Sequence, residues 1–178
     1  MTLVRGRKTP MVLSPTLIKS VVSQFELETY GHHGPSHWMR VRKNGLDLAK
    51  VTGANTKVIE LFSLFHDSCR QNEYHDSGHG GRGAELAVWY HRQGMFNCTA
   101  VELALLVDAC THHTDGVSCD DMTLATCWDA DRLDLWRCGI TPDPNRLFTE
   151  AAKQKNMIGL CMGRSQVWVD RHFKRHGC

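Results

Sequence analysis

The chain has 178 residues, a formal net charge of +2 and 42% hydrophobic residues. This length suits one domain with its own hydrophobic core, so neither a disulfide nor a structural metal is needed for stability. The net charge is too small to indicate a nucleic-acid-binding surface, and no stretch approaches the roughly 18 apolar residues of a membrane span.

The first half of the chain predicts three helices, because apolar residues recur with helical spacing and never alternate over the length of a strand. These helices cover about residues 15–31, 35–52 and 56–67. Asn55 is a good N-cap for the third helix. The segment 69–81 is rich in Asn, Asp, Ser and Gly, which is typical of a loop.

The second half predicts further helices at about residues 82–93, 99–113 and 122–137, with Asp121 capping the last of these. A proline-rich turn follows, and another helical region begins at about residue 146. We find no repeat, linker or low-complexity segment. The sequence therefore predicts an all-α fold with a single domain over residues 1–178.

Eight cysteines are spread along the chain without a C-x-x-C pair. In apolar and helical surroundings they are typical of buried, reduced thiols. No apolar segment of signal-peptide length follows the N-terminus. These features predict a cytoplasmic location.

One set of polar residues has the pattern of a metal site: His37, the pair His66-Asp67 at the end of an apolar run, and Asp131 downstream. Imidazole nitrogens and carboxylate oxygens together bind divalent transition ions well. A site without thiolates that leaves coordination positions open suits hydrolysis or oxygen chemistry better than a structural role.

Helical spacing distinguishes Asp131 from the nearby Asp129. Leu124, Cys127 and Asp131 share one stripe of the predicted helix, whereas Asp129 lies on the other side. Asp131 is therefore the better ligand. Asp134 could orient a ligand from behind, or could face water or pair with a neighbouring arginine.

Other histidines offer donors for a second ion, with Asp67 as a bridge. His79 lies near the predicted start of a helix, and His112 and His113 lie at the end of another. Each alone could equally be a cap or a surface residue, and adjacent histidines on a helix point about 100° apart. We interpret the remaining His-Asp pair, at residues 75–76, as part of a solvated loop.

Several motifs together resemble the HD superfamily of metal-dependent phosphohydrolases. The resemblance covers about residues 30–140 and consists of Ser36-His37-Trp38, Phe65-His66-Asp67, residues 79–85, residues 111–116 and Asp129-Ala130-Asp131-Arg132-Leu133-Asp134. It implies an all-helical bundle of the HD-domain type. It also implies that His37, His66, Asp67 and Asp131 bind a first divalent ion.

The additional histidines are similar to those of the binuclear branch of that superfamily. This resemblance implies that His79, His112 and His113 are candidates for binding a second ion. Mn, Fe, Ni, Co, Zn and Mg all remain open as the metal, in one copy or two. The chain lacks the Gly-Tyr-Pro of the cyclic dinucleotide phosphodiesterases, and nothing after Asp67 resembles the Glu-Asp pair of the alarmone hydrolases.

The resulting hypothesis is a phosphohydrolase that cleaves a phosphate mono- or diester of a nucleotide or related small molecule with a metal-activated water. Asp67 and Arg70 are the predicted catalytic residues. Arg70 and Arg132 are predicted to bind the phosphorylated substrate, because phosphoryl transfer spreads negative charge. The alternatives are a diiron HD-type oxygenase and an inactive ligand-binding HD module. We expect no membrane or nucleic-acid partner, and the oligomeric state stays open.

Overall fold

The computed structural model describes residues 11–176, with side chains as far as His172 and at Lys174, and this part of the chain is all-α as predicted. The single-domain extent of residues 1–178 stays a prediction, since its ends lie outside the described residues. The helices are α1 (Pro15–Ser23), α2 (Pro35–Thr52), α3 (Thr56–Phe65), α4 (His79–Arg92), α5 (Ala100–His112), α6 (Met122–Arg132), α7 (Glu150–Lys153) and α8 (Lys155–His176).

Polar caps fix the ends of several helices. The side chain of Asn55 accepts hydrogen bonds from the first turn of α3, and Asp121 does the same for α6, so both predicted caps are confirmed. Thr99 and Glu102 form a capping box at the start of α5. Gly53 ends α2 with a left-handed backbone (φ 72°), a conformation that glycine adopts without steric cost.

Helix α3 lies at the centre of the main hydrophobic core. Seven of its ten residues are buried, with Phe62 and Phe65 fully so. A helix that is apolar on nearly all sides must be surrounded by other elements. Helices α2, α4, α5 and α6 pack around it, and a smaller cluster that includes Leu133, Leu147 and Ile158 lies where α8 joins the bundle. The C-terminal end of α3 is consequently held in place from several directions.

Two predicted helices are too long. α1 ends at Ser23 instead of near residue 31, although Phe25 beyond it is still buried in the core. α6 ends at Arg132 instead of near residue 137, and a 3-10 helix, Leu135–Cys138, follows. These segments carry apolar residues because they are buried, and burial does not require an α-helical backbone.

The segment His79-Gly80-Gly81 was predicted to be loop but begins α4. Gly80, together with Gly83, has a packing role. A Cβ atom at Gly83 would collide with the backbone oxygen of Phe65, and one at Gly80 would collide with that of Cys110. Only glycine lets α4 approach so closely, which brings His79 next to the end of α3.

Within residues 11–176, no helix is long and apolar enough to cross a bilayer. The seven cysteines in this part of the chain are free thiols, and burial raises the pKa of Cys110 and Cys127, among others. The predicted burial is correct for Cys110, Cys127 and Cys161, whereas Cys69, Cys98 and Cys119 are partly buried and Cys138 is exposed. Cys178 lies outside the described residues.

We predict that Gly83→Ala lowers the free energy of unfolding by about 1–3 kcal/mol, because its methyl group would have to displace the backbone at Phe65. Gly81→Ala is the matched control. A Cβ atom there meets nothing within 4 Å, so this variant should be unchanged or up to about 1 kcal/mol more stable. Urea unfolding of both variants measures the difference. Equal stability of the two would contradict the close approach of α4 to α3.

Candidate metal centre

Residues from three helices meet at a first cluster of donor atoms. Nε2 of His37, on α2, lies 3.1 Å from Nε2 of His66, which caps α3. Oδ2 of Asp67 is 3.4 Å from the His37 nitrogen and 3.6 Å from the His66 nitrogen. Oδ1 of Asp131, in the last turn of α6, is 3.2 Å from His37 Nε2 and 3.9 Å from His66 Nε2. The four residues predicted to bind the first ion therefore converge.

A second cluster lies on the other side of Asp67. Nε2 of His79, at the start of α4, is 2.9 Å from Nε2 of His113, which caps α5. Oδ1 of Asp67 is 3.2 Å from the His79 nitrogen and 3.7 Å from the His113 nitrogen. Asp67 thus directs one oxygen to each cluster, and the five side chains of the two triads are buried.

The hydrogen bond made by Nδ1 of each histidine determines whether Nε2, which faces the cluster, has a free lone pair for a metal ion. Nδ1 of His66 faces the backbone oxygens of Phe62 and Ser63, at 3.1 and 3.2 Å. Nδ1 of His113 and of His79 likewise face backbone oxygens, those of Cys110 and Asp76. A carbonyl oxygen only accepts, so each Nδ1 carries a proton and donates it. Each Nε2 lone pair then faces the cluster, as in ligating histidines.

The first histidine is oriented by a carboxylate instead. Nδ1 of His37 donates to Oδ2 of Asp134 at 2.7 Å. Oδ1 of the same carboxylate accepts from Nε of Arg40 and from Oγ of Ser165, both at 2.7 Å. Asp134 is fully buried and supports His37 from behind, which excludes the alternative in which it faces water. Nothing in the sequence pattern indicated Ser165, because it reaches the site from α8, 31 residues further along the chain.

The donor set fits a divalent cation. Oδ1 of Asp131 is buried yet has no hydrogen-bond partner of acceptable geometry among the described residues, an unfavourable state for an anionic oxygen unless a cation is beside it. Two nitrogens bound at about 2.1 Å and at right angles to one ion are about 3.0 Å apart. The separations of 3.1 and 2.9 Å between paired Nε2 atoms match that arrangement.

The charges of the first cluster follow from burial and close carboxylates. Burial alone would raise the pKa of Asp67. The nearby imidazoles have a larger, opposite effect and hold that pKa well below its usual range; they are those of His66, His113, His37 and His79. Burial lowers the pKa of His66 to about 3. It also lowers that of His37, but hydrogen bonds to carboxylates outweigh burial and raise the pKa to about 9. A bound divalent ion would take the place of that proton.

Some of the polar residues considered above lie elsewhere. The side chain of His112 is 59% exposed and pairs with Asp108 on the same helix, so the structure does not bring it to the cluster with His113. A one-residue step along α5 turns it away from the core. Asp129 instead accepts hydrogen bonds from the backbone of Phe148 and Thr149.

A cavity of about 410 Å³ opens above the two clusters and is lined by Asp67, His113 and Asp131. Arg70, predicted as both catalytic and substrate-binding, also lines it. Its Nη1 lies 3.3 Å from Oδ1 of Asp67 and 3.3 Å from Nε2 of His79, while Nη2 donates to the backbone oxygen of Tyr74. Arg70 therefore holds the carboxylate shared by both clusters.

Arg132, also predicted to bind substrate, lies on the cavity wall. Its terminal nitrogens donate to the backbone oxygens of Arg146 and Gly116, at 3.0 and 2.8 Å. Its guanidinium carbon is 4.6 Å from the ring centroid of Phe148. Arg132 thus joins two loops that border the cavity.

No protein-family model and no curated protein matches the chain. A crystal structure from an uncultured Thermotogales bacterium, described as a predicted HD superfamily hydrolase, superposes with a TM-score of 0.61 and 23% sequence identity. The match covers 92% of this chain and 93% of that one. The chain therefore shares the all-helical fold of that structure, as the motifs implied, and its buried His/Asp clusters are compatible with divalent metal binding.

We predict that His113→Ala loses one bound ion per chain, whereas His112→Ala retains the ion content of the wild type. The two residues are neighbours on one helix, but only the Nε2 atom of His113 lies near Asp67 and His79. Metal analysis of protein dialysed against the same buffer measures the difference. Equal ion contents in the two variants would contradict a second ion at this cluster.

Proposed function

We propose that the protein is a metal-dependent phosphohydrolase that cleaves a phosphate ester of a nucleotide or a related small molecule. The observation that carries this proposal is the position of Asp67, whose two oxygens each face a separate pair of imidazole nitrogens at the floor of an open cavity. This donor set suits two divalent ions that share one carboxylate.

In this proposal, His37, His66, Asp67 and Asp131 bind one ion, and Asp67, His79 and His113 bind the other. A divalent ion at such a site acts as a Lewis acid and lowers the pKa of a coordinated water towards neutrality. Asp134 keeps the His37 ring in the orientation and tautomer that a ligand needs. Arg70 holds Asp67 and His79 relative to one another.

The cavity supports a phosphorylated substrate. Four arginines line it, against three carboxylates of which two are candidate metal ligands. With an ion bound, the cavity is therefore positively charged and attracts an anion. Phosphoryl transfer spreads negative charge over the oxygens of the transferred group, and fixed cationic groups stabilise that charge.

The apolar part of the cavity lining supports a substrate with an organic group. Four residues contribute to that lining: Leu135, Ile140, Pro142 and Leu147. A volume of about 410 Å³ lies within the range of small-molecule sites. A phosphate beside the candidate metal ligands and a compact, partly apolar group, such as a nucleoside, match this mixed lining.

We predict that Asp67→Ala abolishes both ion binding and turnover while far-UV circular dichroism stays close to that of the wild type. The variant removes the one residue common to both clusters. Asp108→Ala is the control, since Asp108 lies on the exposed face of α5 and its ion pair among the described residues is with His112. It should retain ion content and activity. Full activity of Asp67→Ala would contradict the proposed metal centre.

The experiment that tests the function begins with the metal content of protein purified without added ions. The same protein is then assayed, under anaerobic conditions, for release of inorganic phosphate from nucleotides and sugar phosphates, and for release of the alcohol from phosphodiesters. We expect ion-dependent hydrolysis of at least one of these classes. Oxygen uptake by iron-loaded protein, with no phosphate ester hydrolysed, would favour the oxygenase instead, and tight ligand binding without either reaction would favour an inactive binding module.

A further inference from the structure

The arginines that line the cavity differ in how many of their N–H groups the protein already uses. A guanidinium has five such donors, and a buried donor without an acceptor is energetically costly. Arg70 uses its donors to hold Asp67 and two backbone oxygens, and Arg132 uses its donors to join two loops. In both residues each terminal nitrogen therefore already has an acceptor in the protein. Arg146 lies exposed at the rim.

The fourth arginine, Arg137, is different. It is only 6% exposed, and its Nε donates to the backbone oxygen of His32 at 2.9 Å. Its Nη1 is buried without a hydrogen-bond partner among the side chains and backbone that the structure describes, and the carboxylate of Asp134 lies 3.8 Å from it. Arg137 nevertheless lines the cavity together with Asp67 and Asp131. A buried cation with an unused donor at the wall of a cavity is suited to bind an anion from that cavity.

We propose that Arg137 binds a terminal oxygen of the substrate's phosphoryl group. This inference rests on the proposed function and deepens it, because it assigns phosphate recognition to a residue other than the predicted Arg70 and Arg132. Arginine suits the role, since its planar guanidinium can donate two parallel hydrogen bonds to a phosphate.

The competing explanation is that Arg137 only balances buried carboxylates. Its charge is close to Asp131 and Asp134, which raise its pKa although burial lowers it. Arg40 provides the comparison. It is 8% exposed, its Nε donates to Asp134 at 2.7 Å, and its Nη2 is also buried without a hydrogen-bond partner. Arg40 packs over Trp168 and does not line the cavity.

Titration calorimetry with inorganic phosphate separates the two explanations. The protein is loaded with the divalent ion that it retains on purification, and wild type, Arg137→Met and Arg40→Met are compared at equal ion content. We expect Arg137→Met to weaken phosphate binding about tenfold or more, as for the loss of a charged hydrogen bond. Arg40→Met should bind phosphate within about twofold of the wild type, a difference below about 0.4 kcal/mol.

Two results would overturn the role of Arg137 and leave the proposed function intact. One is phosphate binding by Arg137→Met that equals that of the wild type. The other is equal weakening by Arg137→Met and Arg40→Met, which is the result expected if both act through Asp134. A wild type that binds neither ions nor phosphate would instead contradict the proposed function itself.

A second variant keeps the test decisive if Arg137→Met does not fold. Arg137→Lys retains a positive charge near Asp134 but cannot donate two parallel hydrogen bonds. We expect it to keep the wild-type ion content and to bind phosphate more weakly than the wild type. An unchanged phosphate affinity in this variant would contradict direct binding by the guanidinium.

Discussion

The structure of the site depends on one buried carboxylate, that of Asp67, held between four imidazole rings. Its side chain is almost fully buried, and its two oxygens lie 3.2 to 3.7 Å from the inner nitrogens of His37, His66, His79 and His113. The backbone positions it through α3, which is buried on nearly all sides, and through α4, which approaches closely because Gly83 has no side chain. The hydrophobic core and the candidate metal centre are therefore parts of one arrangement.

Burying so many ionisable groups is costly, because each charge loses its hydration. The second layer of the site offsets part of this cost. Asp134 accepts hydrogen bonds from His37, Arg40 and Ser165, so its charge is paired although it is fully buried. Asp131 lacks such partners for Oδ1, and this is the atom for which a cation would complete the environment. The contrast between the two carboxylates distinguishes a supporting residue from a candidate ligand.

Much of this arrangement could be predicted from the sequence, because the signals were local. Helical spacing distinguished Asp131 from Asp129 and predicted that Asp131 is the ligand. In the structure Asp131 lies next to His37. The caps at Asn55 and Asp121 were also correct, since capping depends on a few adjacent residues. The motifs that resemble the HD superfamily implied the fold, which the superposition confirms.

Other features depend on long-range packing that no local pattern encodes. Whether His112 or His113 faces Asp67 depends on the phase of α5 against its neighbours, and Ser165 reaches Asp134 only through the docking of α8. The sequence placed Gly83 in a helix, but its close approach to the backbone of Phe65 depends on how α4 packs against α3. The hydrogen-bond partners that distinguish Arg70 from Arg137 likewise depend on tertiary packing.

The central claim, that Asp67 is shared by two ions, is tested most directly by anomalous diffraction from crystals grown with manganese. The account predicts two anomalous peaks, one beside each oxygen of Asp67, about 3.5–4 Å apart as in other two-metal sites. A map with no peak within coordination distance of Asp67, from crystals whose manganese content is established by fluorescence, would contradict it.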